Sequence, residues 1–232
     1  MFFIAAPFGN HLRFRSAISV TGSWTREPRP GVIKQIIKTL RPIQNGWVNK
    51  IGLRNPGIEC GLKKHKLNDV LSLALVESND WEKLYEIVPK TYNVEINISC
   101  PNLLDWQEHF PLYNEISLFP KDNRKWCICK IPPTYSPEEI DNVIDLGYRQ
   151  IHTSNTLRCA NGGISGKELI PYTLKNIDHI KKEYPDVEVI AGGGVYNKEV
   201  INMYNDHGAD HISLGTICFK PWKIKGLIES VC

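Results

Sequence analysis

Short apolar runs alternate with longer amphipathic stretches along most of the chain. Eight of these runs have the length and the β-branched content of strands. Several are apolar at consecutive positions, which is typical of a parallel sheet covered on both faces. The predicted strands span residues 2–6, 18–22, 70–76, 94–99, 126–131, 150–153, 187–191 and 211–214.

Helix-start signals stand between the strands. Ser136, Pro137 and Glu139 form a capping box with proline at the first helical position. Asn197 is predicted to cap another helix, which Gly208 would end. Further helices are predicted over 32–40, from residue 81 onward with Ser78 or Asn79 as the cap, and over 170–184 and 221–231.

This alternation predicts an α/β protein, a (β/α)8 TIM barrel in a single domain spanning 1–232, with a doubly wound open sheet as the alternative. About eleven residues separate the first two strands, too few for a crossover helix, so a truncated first β/α unit is expected. Residues 23–66 are expected to hold loops, a hairpin and one helix, and residues 103–125 a long loop. Loops after strands form the active-site face of a barrel, so these two segments are functional candidates or simply long caps.

Composition narrows the class of protein further. The chain is 42% hydrophobic and 23% charged with a net charge of +3, which is ordinary for a globular protein and lacks the basic stripe of a nucleic-acid-binding protein. The basic cluster at 63–66 is expected to be a solvated loop. The seven cysteines have no zinc-ligand spacing, and no run approaches the roughly 20 apolar residues of a membrane span. We therefore expect a reduced, cytoplasmic protein without a metal or a membrane partner.

Glycines follow the last two predicted strands, where barrels often bind phosphate. Gly192, Gly193 and Gly194 follow the seventh strand, and Gly215 and Thr216 follow the eighth. Because glycine lets backbone N–H groups approach a phosphate closely, the two turns predict a phosphorylated ligand. The alternative is that both are tight turns that need glycine for their backbone conformation.

Other polar residues stand at the ends of the middle strands. Lys130 ends the fifth, where a buried lysine must be paired, either with an anionic cofactor or with a carboxylate of a neighbouring strand. Cys100 is a candidate base, although most cysteines are inert small hydrophobes. Amide side chains suit a pyrimidinedione ring, although a single asparagine is usually a turn or cap residue. Four amides fall at predicted loops or strand ends: Asn49, Asn97, Asn102 and Asn155.

The run Asn97-Ile98-Ser99-Cys100-Pro101-Asn102 resembles the active-site motif of the dihydroorotate dehydrogenases, flavin-dependent barrels of pyrimidine synthesis. The resemblance continues in order through residues 22–31, 49–57, 155–166, 192–194 and 214–216. It implies FMN as cofactor and oxidation of dihydroorotate to orotate as the reaction. It also implies that Cys100 removes a proton from C5 while hydride passes from C6 to flavin N5.

The resemblance further implies which residues form each subsite. The FMN phosphate would lie on Gly193, Gly194, Gly215 and Thr216, with Ser165 and Gly166 close by. The isoalloxazine would rest against Ala5, Ala6 and Ser23, and Lys130 would face its N1/O2 edge. The substrate would be held by Asn49, Gly52, Leu53, Asn97, Asn102, Asn155 and Thr156.

Details of the motif also bear on partners. The quinone-reducing branch has serine where this chain has Cys100, and it carries an N-terminal extension. The chain therefore resembles the cytoplasmic branch, whose acceptor is fumarate or, through an iron–sulfur flavoprotein subunit, NAD. Candidate partners are that electron-transfer subunit or a second copy in a homodimer, beside the small-molecule substrate.

Two alternatives to this function follow from departures from the family pattern. The two positions where the family carries a lysine hold Asn10 and Gly22, which favours an FMN barrel acting on another pyrimidine or uridine ring. The shortened first unit favours a catalytically degenerate barrel that serves as a binding protein.

Overall fold

The computed structural model describes residues 1–77, 80–99 and 113–231, and eight of its strands close into a parallel barrel. The strands are β1 (Phe2–Ile4), β2 (Ala17–Trp24), β3 (Arg41–Ile43), β4 (Gly46–Asn49), β5 (Val70–Leu73), β6 (Asn93–Asn97), β7 (Cys127–Lys130), β8 (Gln150–His152), β9 (Leu157–Cys159), β10 (Gly162–Gly166), β11 (Glu188–Ala191) and β12 (His211–Leu214). The order around the barrel is β1, β12, β11, β8, β7, β6, β5 and β2. Each predicted strand coincides with one of these eight, and the predicted (β/α)8 class is confirmed.

Helices follow most of the barrel strands, and α1, α5, α6 and α7 begin at or next to the predicted positions. They are α1 (Val32–Thr39), α2 (Ile58–Lys64), α3 (Asp80–Ile87), α4 (Tyr113–Ile116), α5 (Pro137–Asp145), α6 (Ile170–Glu183), α7 (Lys198–Asp206) and α8 (Ile224–Glu229). Both halves of the Ser136–Glu139 capping box are formed, and Asn197 accepts a hydrogen bond from the Val200 amide. The predicted caps Ser78 and Asn79 lie outside the described residues. Within the described ranges, no helix has both the length and the apolar character needed to cross a bilayer.

The truncated first unit is confirmed. β1 and β2 pair in parallel, and a single 3₁₀ turn over Phe8–Asn10 stands where other units have an α-helix. The turn lies close against β2, since a Cβ on Gly9 would be only 2.2 Å from the carbonyl oxygen of Val20. Glycine at this position therefore allows the short connection.

Several loop expectations were wrong. The segment 23–66 contains a second helix, α2, whose last turn includes Lys63 and Lys64, so the basic cluster is exposed but partly helical. Within 103–125, α4 and a 3₁₀ turn over Phe119–Lys121 are formed, while residues 103–112 lie outside the described part of the chain. The glycine-rich run 162–166, for which no element was predicted, forms strand β10.

Strand alternation divides the core into two regions. Outward-facing side chains of the strands, such as Leu71 and Ile96, pack against the helices in the larger cluster. Inward-facing side chains fill the lower barrel with Phe3, Val20, Val70, Trp126, Ile128 and Ile190. The barrel interior is therefore solid below, as in other barrels of this kind, and only its upper tier is polar.

A second, antiparallel sheet stands beside the barrel, in the order β3, β4, β10, β9. It joins the hairpin after α1 to the segment after β8, because Asn49 pairs with Gly163 and Trp47 with Ser165. Glycine permits the close pairing, since a Cβ on Gly166 would be 2.2 Å from the carbonyl oxygen of Asn45. Trp47 also stacks on Phe219, with ring centroids 4.6 Å apart.

Removing the capping box tests one local determinant of this fold. Ser136→Ala deletes the acceptor for the Glu139 amide, so we expect it to lower the free energy of unfolding by about 1 kcal/mol. Urea unfolding followed by circular dichroism would measure the loss. Thr134→Ala, which removes an exposed hydroxyl from the same loop, is the matched control. Equal stability of the two variants would contradict the assignment.

Candidate active site at the barrel mouth

Two of the predicted amides meet at the carboxyl ends of β6 and β8. The Asn155 Nδ2 donates to Asn97 Oδ1 at 3.1 Å and to Ser99 Oγ at 2.9 Å. The Asn97 Nδ2 donates to Ser23 Oγ at 2.8 Å, and Ser23 is in turn 2.9 Å from Ser72 Oγ. We call Asn97, Asn155, Ser99 and Ser23 the amide cluster. It places hydroxyl and amide groups of three strand ends at one point of the rim.

The other predicted substrate residues lie on or next to the antiparallel sheet. Asn49 ends β4, and its Oδ1 accepts a hydrogen bond from the Ile51 amide at 3.3 Å. Gly52 and Leu53 follow with positive φ angles of 71° and 55°. Thr156 precedes β9, and its amide donates to Asn155 Oδ1 at 2.7 Å, which links this sheet to the amide cluster. Asn102 and the candidate base Cys100 lie outside the described residues.

A row of three ionisable side chains lies inside the barrel below the amide cluster. Glu95 on β6 is fully buried, with Lys130 on β7 and His152 on β8 only 6% and 2% exposed. The Glu95 Oε2 is 2.7 Å from His152 Nδ1, and its Oε1 is 3.9 Å from Lys130 Nζ. We call these residues the buried triad. Lys130 thus has the carboxylate of a neighbouring strand as a partner, which was the alternative stated for it.

Burial and charge set the protonation states of the triad. Burial alone would raise the pKa of Glu95, but the charge of Lys130 and the hydrogen bonds from His152 and Ser72 hold that pKa at about 2. The pKa of His152 is lowered, first by burial and then by Lys130, against the attraction of Glu95. At neutral pH Glu95 is therefore an ionised carboxylate and His152 a neutral imidazole. With Glu95 ionised, His152 Nδ1 is the donor of their hydrogen bond.

Three of the predicted phosphate residues come together in the structure. Gly193 and Gly194 have φ angles of +87° and +68°, and a Cβ on Gly194 would lie 3.1 Å from the carbonyl oxygen of Gly166. Ser165, beside them on β10, donates through its hydroxyl to the carbonyl of Trp47 at 3.3 Å. Gly192 has a different neighbour, since a Cβ there would be 2.7 Å from His152 Nε2.

The turn after β12 is more open. A Cβ on Gly215 would meet a single atom within 4 Å, the Cβ of Ala5 at 3.9 Å. Ala5 is joined to the same turn by a hydrogen bond from its amide to the Leu214 carbonyl, at 3.0 Å. Thr216 begins a 3₁₀ turn, and Ala6 packs against the cluster that fills the lower barrel.

The two positions without the family lysine are neighbours. The Asn10 Oδ1 accepts a hydrogen bond from the Gly22 amide at 3.1 Å. Gly22 has a φ of +109°, and a Cβ there would lie 2.4 Å from the carbonyl oxygen of Ser72. A lysine at position 22 therefore does not fit this backbone.

Some residues of the site were not predicted from the sequence. Glu95 and His152 each stand in an apolar strand, and Ser99 and Ser72 are small hydroxyl residues of common type. The available signal was the charge of Glu95 within the run Val94-Glu95-Ile96, because a carboxylate buried in a strand needs a cationic partner. Nothing in the sequence indicates that Lys130 and His152 are both within its reach.

Comparison with known proteins identifies the family of the chain. The family model described as dihydroorotate dehydrogenase matches residues 10–230. The chain belongs to the dihydroorotate dehydrogenase family. The resemblance read from the motifs is therefore confirmed, and with it membership of a family of oxidoreductases that act on a CH–CH bond.

Curated relatives in this family fall in two groups. The catalytic subunit of dihydroorotate dehydrogenase B (NAD(+)) from Staphylococcus carnosus is 30% identical over 221 residues, covering 81% of this chain and 71% of the relative. The corresponding subunit from Thermotoga maritima is 27% identical over 207 residues, covering 79% and 76%. A dihydroorotate dehydrogenase (quinone) from Coxiella burnetii is 28% identical over 254 aligned residues, covering 90% and 72%. The identities do not separate the two groups.

Solved structures of similar fold include DHODH from Eimeria tenella. Its complex with ferulenol has a TM-score of 0.68 at 15% identity, covering 99% of this chain and 80% of that one. The ligand-free form has a TM-score of 0.69 at 16% identity, covering 91% and 76%. These matches support the barrel fold of this family member.

The buried triad predicts how stability depends on pH. His152 is neutral in the folded protein, so the unfolded chain binds more protons below a pH of about 6.5, and the free energy of unfolding should fall as the pH is lowered through that region. The contribution of Glu95, whose pKa is depressed, is present above about pH 4.5 and is lost only as the pH falls toward 2.

His152→Asn tests the first of these windows. Asparagine retains an amide donor for Glu95 but cannot be protonated, so the difference in unfolding free energy between pH 7.5 and pH 5 should be smaller in the variant. Urea unfolding at several pH values would measure it. Parallel curves for the variant and the unchanged protein would show that His152 is not held neutral in the fold.

Proposed function

We propose that the protein is an FMN-dependent enzyme that oxidises dihydroorotate to orotate. The observation that carries the proposal is the amide cluster, in which the motif residues Asn97 and Ser99 meet Asn155, which follows β8 two strands away, at 3.1 and 2.9 Å. Amides supply donors and acceptors without charge, which matches the alternating C=O and N–H groups of a dihydropyrimidine ring. Family membership supports the same substrate.

The glycine turns fit the phosphate end of FMN. Gly193, Gly194 and Gly166 lie together, and each would clash with its neighbours if it carried a side chain. Gly215 leaves open space at its Cα, and Thr216 begins a 3₁₀ turn whose first N–H groups point away from the turn. These residues and Ser165 would hold the phosphate.

The ring of FMN would lie further into the mouth. Ala5 and Ala6 are small residues at the end of β1, and Ser23 at the end of β2 bears a hydroxyl that already bonds to Asn97. Lys130, at the end of β7, would face the N1/O2 edge and balance the negative charge of the reduced ring. When bound, FMN supplies a hydride acceptor at N5.

The residues of the chain would do the remaining work. Cys100 would take the C5 proton of dihydroorotate as general base, so that proton and hydride leave the two adjacent carbons and orotate remains. The amide cluster, with Asn102 and Thr156, would orient the ring so that these two bonds are aligned for reaction. Asn49, Gly52 and Leu53 would hold the substrate from the antiparallel sheet.

The acceptor and partners follow from the cysteine at position 100. We infer a single FMN-binding domain over 1–232 in the cytoplasm, with electrons passing to fumarate or, through an electron-transfer subunit, to NAD. The catalytic subunits named for NAD(+) among the relatives support the second acceptor. A homodimer is the alternative assembly.

A second candidate function is supported by the positions that lack lysine. Asn10 and Gly22 bond to each other, and a lysine does not fit at position 22. Without that cation the carboxylate of orotate loses a partner, which favours a ring without a carboxylate, such as a free pyrimidine or a uridine. The two functions differ in which reductant bleaches the flavin.

Gly215→Ala tests the phosphate site. Ala5 Cβ is the single atom near the new methyl, but the ψ of −91° at this position is unfavourable for alanine, so the melting temperature of the variant without FMN is measured first to show that it folds. The methyl would occupy space assigned to the phosphate, and we expect the dissociation constant of FMN to rise at least about tenfold, or about 1.4 kcal/mol. Fluorescence titration would measure it. Gly226→Ala, where a Cβ also meets nothing within 4 Å, is the control; equal affinities would place the phosphate elsewhere.

Cys100→Ala tests the general base. The variant should bind FMN, but anaerobic reduction of the flavin by dihydroorotate should slow at least about a hundredfold, the usual contribution of such a base. Stopped-flow absorbance would follow the bleaching. Cys159→Ala, at a half-buried position on β9, is the control and should react normally.

The same experiment separates the candidate functions. An unchanged rate in Cys100→Ala would remove Cys100 from its role. Bleaching by dihydrouracil or NADPH but not by dihydroorotate would favour the second candidate. A protein that remains colourless after incubation with FMN would favour the binding-protein alternative.

A further inference from the structure

The buried triad is unusual because its three ionisable groups occupy the inside of the barrel. Replacing a buried ion pair by apolar side chains of similar volume is often neutral or stabilising, so stability alone gives little reason for charges at this depth. Lys130 is in register with Asn97 on one side and with His152 on the other. Because Glu95 lies two residues before Asn97 on β6, on the same face of the strand, its carboxylate lies below the amide cluster, with Lys130 and His152 in register with Asn97.

Among the residues that the structure describes, none accepts a hydrogen bond from the Lys130 ammonium. Its Nζ is 3.9 Å from Glu95 Oε1, which is close enough for strong attraction but too far for a hydrogen bond. Glu95 is instead fixed from its other side, by His152 Nδ1 at 2.7 Å. The Glu95 carboxylate thus attracts the Lys130 ammonium without accepting a hydrogen bond from it. The N–H groups of Lys130 can therefore donate to an acceptor at the mouth.

The imidazole of His152 is itself held in place. A Cβ on Gly192 would lie 2.7 Å from its Nε2 and 3.3 Å from its Cδ2, so the ring fills the space that the glycine leaves on β11. Residues of four neighbouring strands, β6, β7, β8 and β11, therefore pack together so that Glu95 contacts His152 on one side and Lys130 on the other. Such an arrangement determines the position of one cation at the top of the barrel.

We propose that Glu95 and His152 are positioning residues that hold the Lys130 ammonium at the N1/O2 edge of the flavin ring and, through it, set the reduction potential of bound FMN. The inference rests on the proposed function, since it requires FMN in the mouth. Lys130 favours the reduced, anionic ring, and the negative charge of Glu95 offsets part of that effect. The pair Glu95–His152 would then keep the potential lower than Lys130 alone would make it.

Four variants give directional expectations. Glu95→Gln removes the negative charge and should shift the equilibrium toward reduced flavin at least about tenfold, or about 30 mV for a two-electron couple. His152→Leu removes one of the hydrogen bonds that fix the Glu95 carboxylate beside Lys130 and should shift the potential by a smaller factor. His152→Asn restores a donor and should return the potential to that of the unchanged protein. In a Lys130→Met background, Glu95→Gln should have no effect, because a carboxylate without its cation takes up a proton.

The measurement is the midpoint potential of the FMN-loaded protein, from absorbance during anaerobic titration against a redox dye. Asp69→Asn is the matched control, because Asp69 is an equally buried carboxylate, 2.6 Å from Arg13, at the opposite end of the barrel. It should lower the thermal stability and leave the potential unchanged. This control separates loss of a buried ion pair from an effect on the flavin.

The outcomes distinguish the inference from the function on which it rests. If the unchanged protein binds no FMN, the proposed function fails. If FMN binds but Glu95→Gln and His152→Leu have the potential of the unchanged protein, or if the Glu95→Gln shift persists without Lys130, the positioning role is overturned. Should Glu95→Gln lose its FMN, the comparison of His152→Leu with His152→Asn decides alone.

Discussion

Each of the eight barrel strands is hydrogen-bonded to a parallel neighbour on both sides, so all eight carboxyl ends meet at one rim. Residues far apart in the chain are brought together by this closure alone. Asn97 and Asn155 are 58 positions apart and share a hydrogen bond because β6 and β8 both end at that rim, with β7 between them. Without closure neither the amide cluster nor the glycine turns would form one site.

The same closure creates an interior that water does not reach. Six apolar side chains fill its lower part, so any charge above them must be neutralised by another side chain or by a ligand. Glu95 does this for Lys130, and His152 holds the Glu95 carboxylate in place. Lys130 ends β7, in register with Asn97 of the amide cluster at the rim.

Much of the fold could be predicted because its signals are local. The apolar runs gave all eight barrel strands, and Ser136 and Asn197 marked the helices that they cap. β10 was missed because glycine is uncommon in strands, and its role is visible only beside β4. The buried triad was missed for a related reason, since the partner of a buried charge depends on the register between strands.

The site was predictable to a similar degree. The motif residues Asn97 and Asn155 converge as expected. The three glycines after β11 were expected to act together, but in the structure they have different neighbours. Gly194 lies against the carbonyl oxygen of Gly166 and Gly193 against Leu169 and Ser154, while Gly192 makes room for the His152 ring. Three adjacent residues of one type therefore serve two purposes, which composition and spacing cannot separate.

The antiparallel sheet fixes the distance between two residues beside the barrel mouth. Asn49 ends β4, and Ser165 lies on β10 two residues beyond the partner of Asn49. Their spacing is thus dictated by the repeat of a paired strand rather than by a pliable connection. If Asn49 contacts the substrate and Ser165 the cofactor, as proposed above, the distance between those two contacts is set by the backbone of the paired strands.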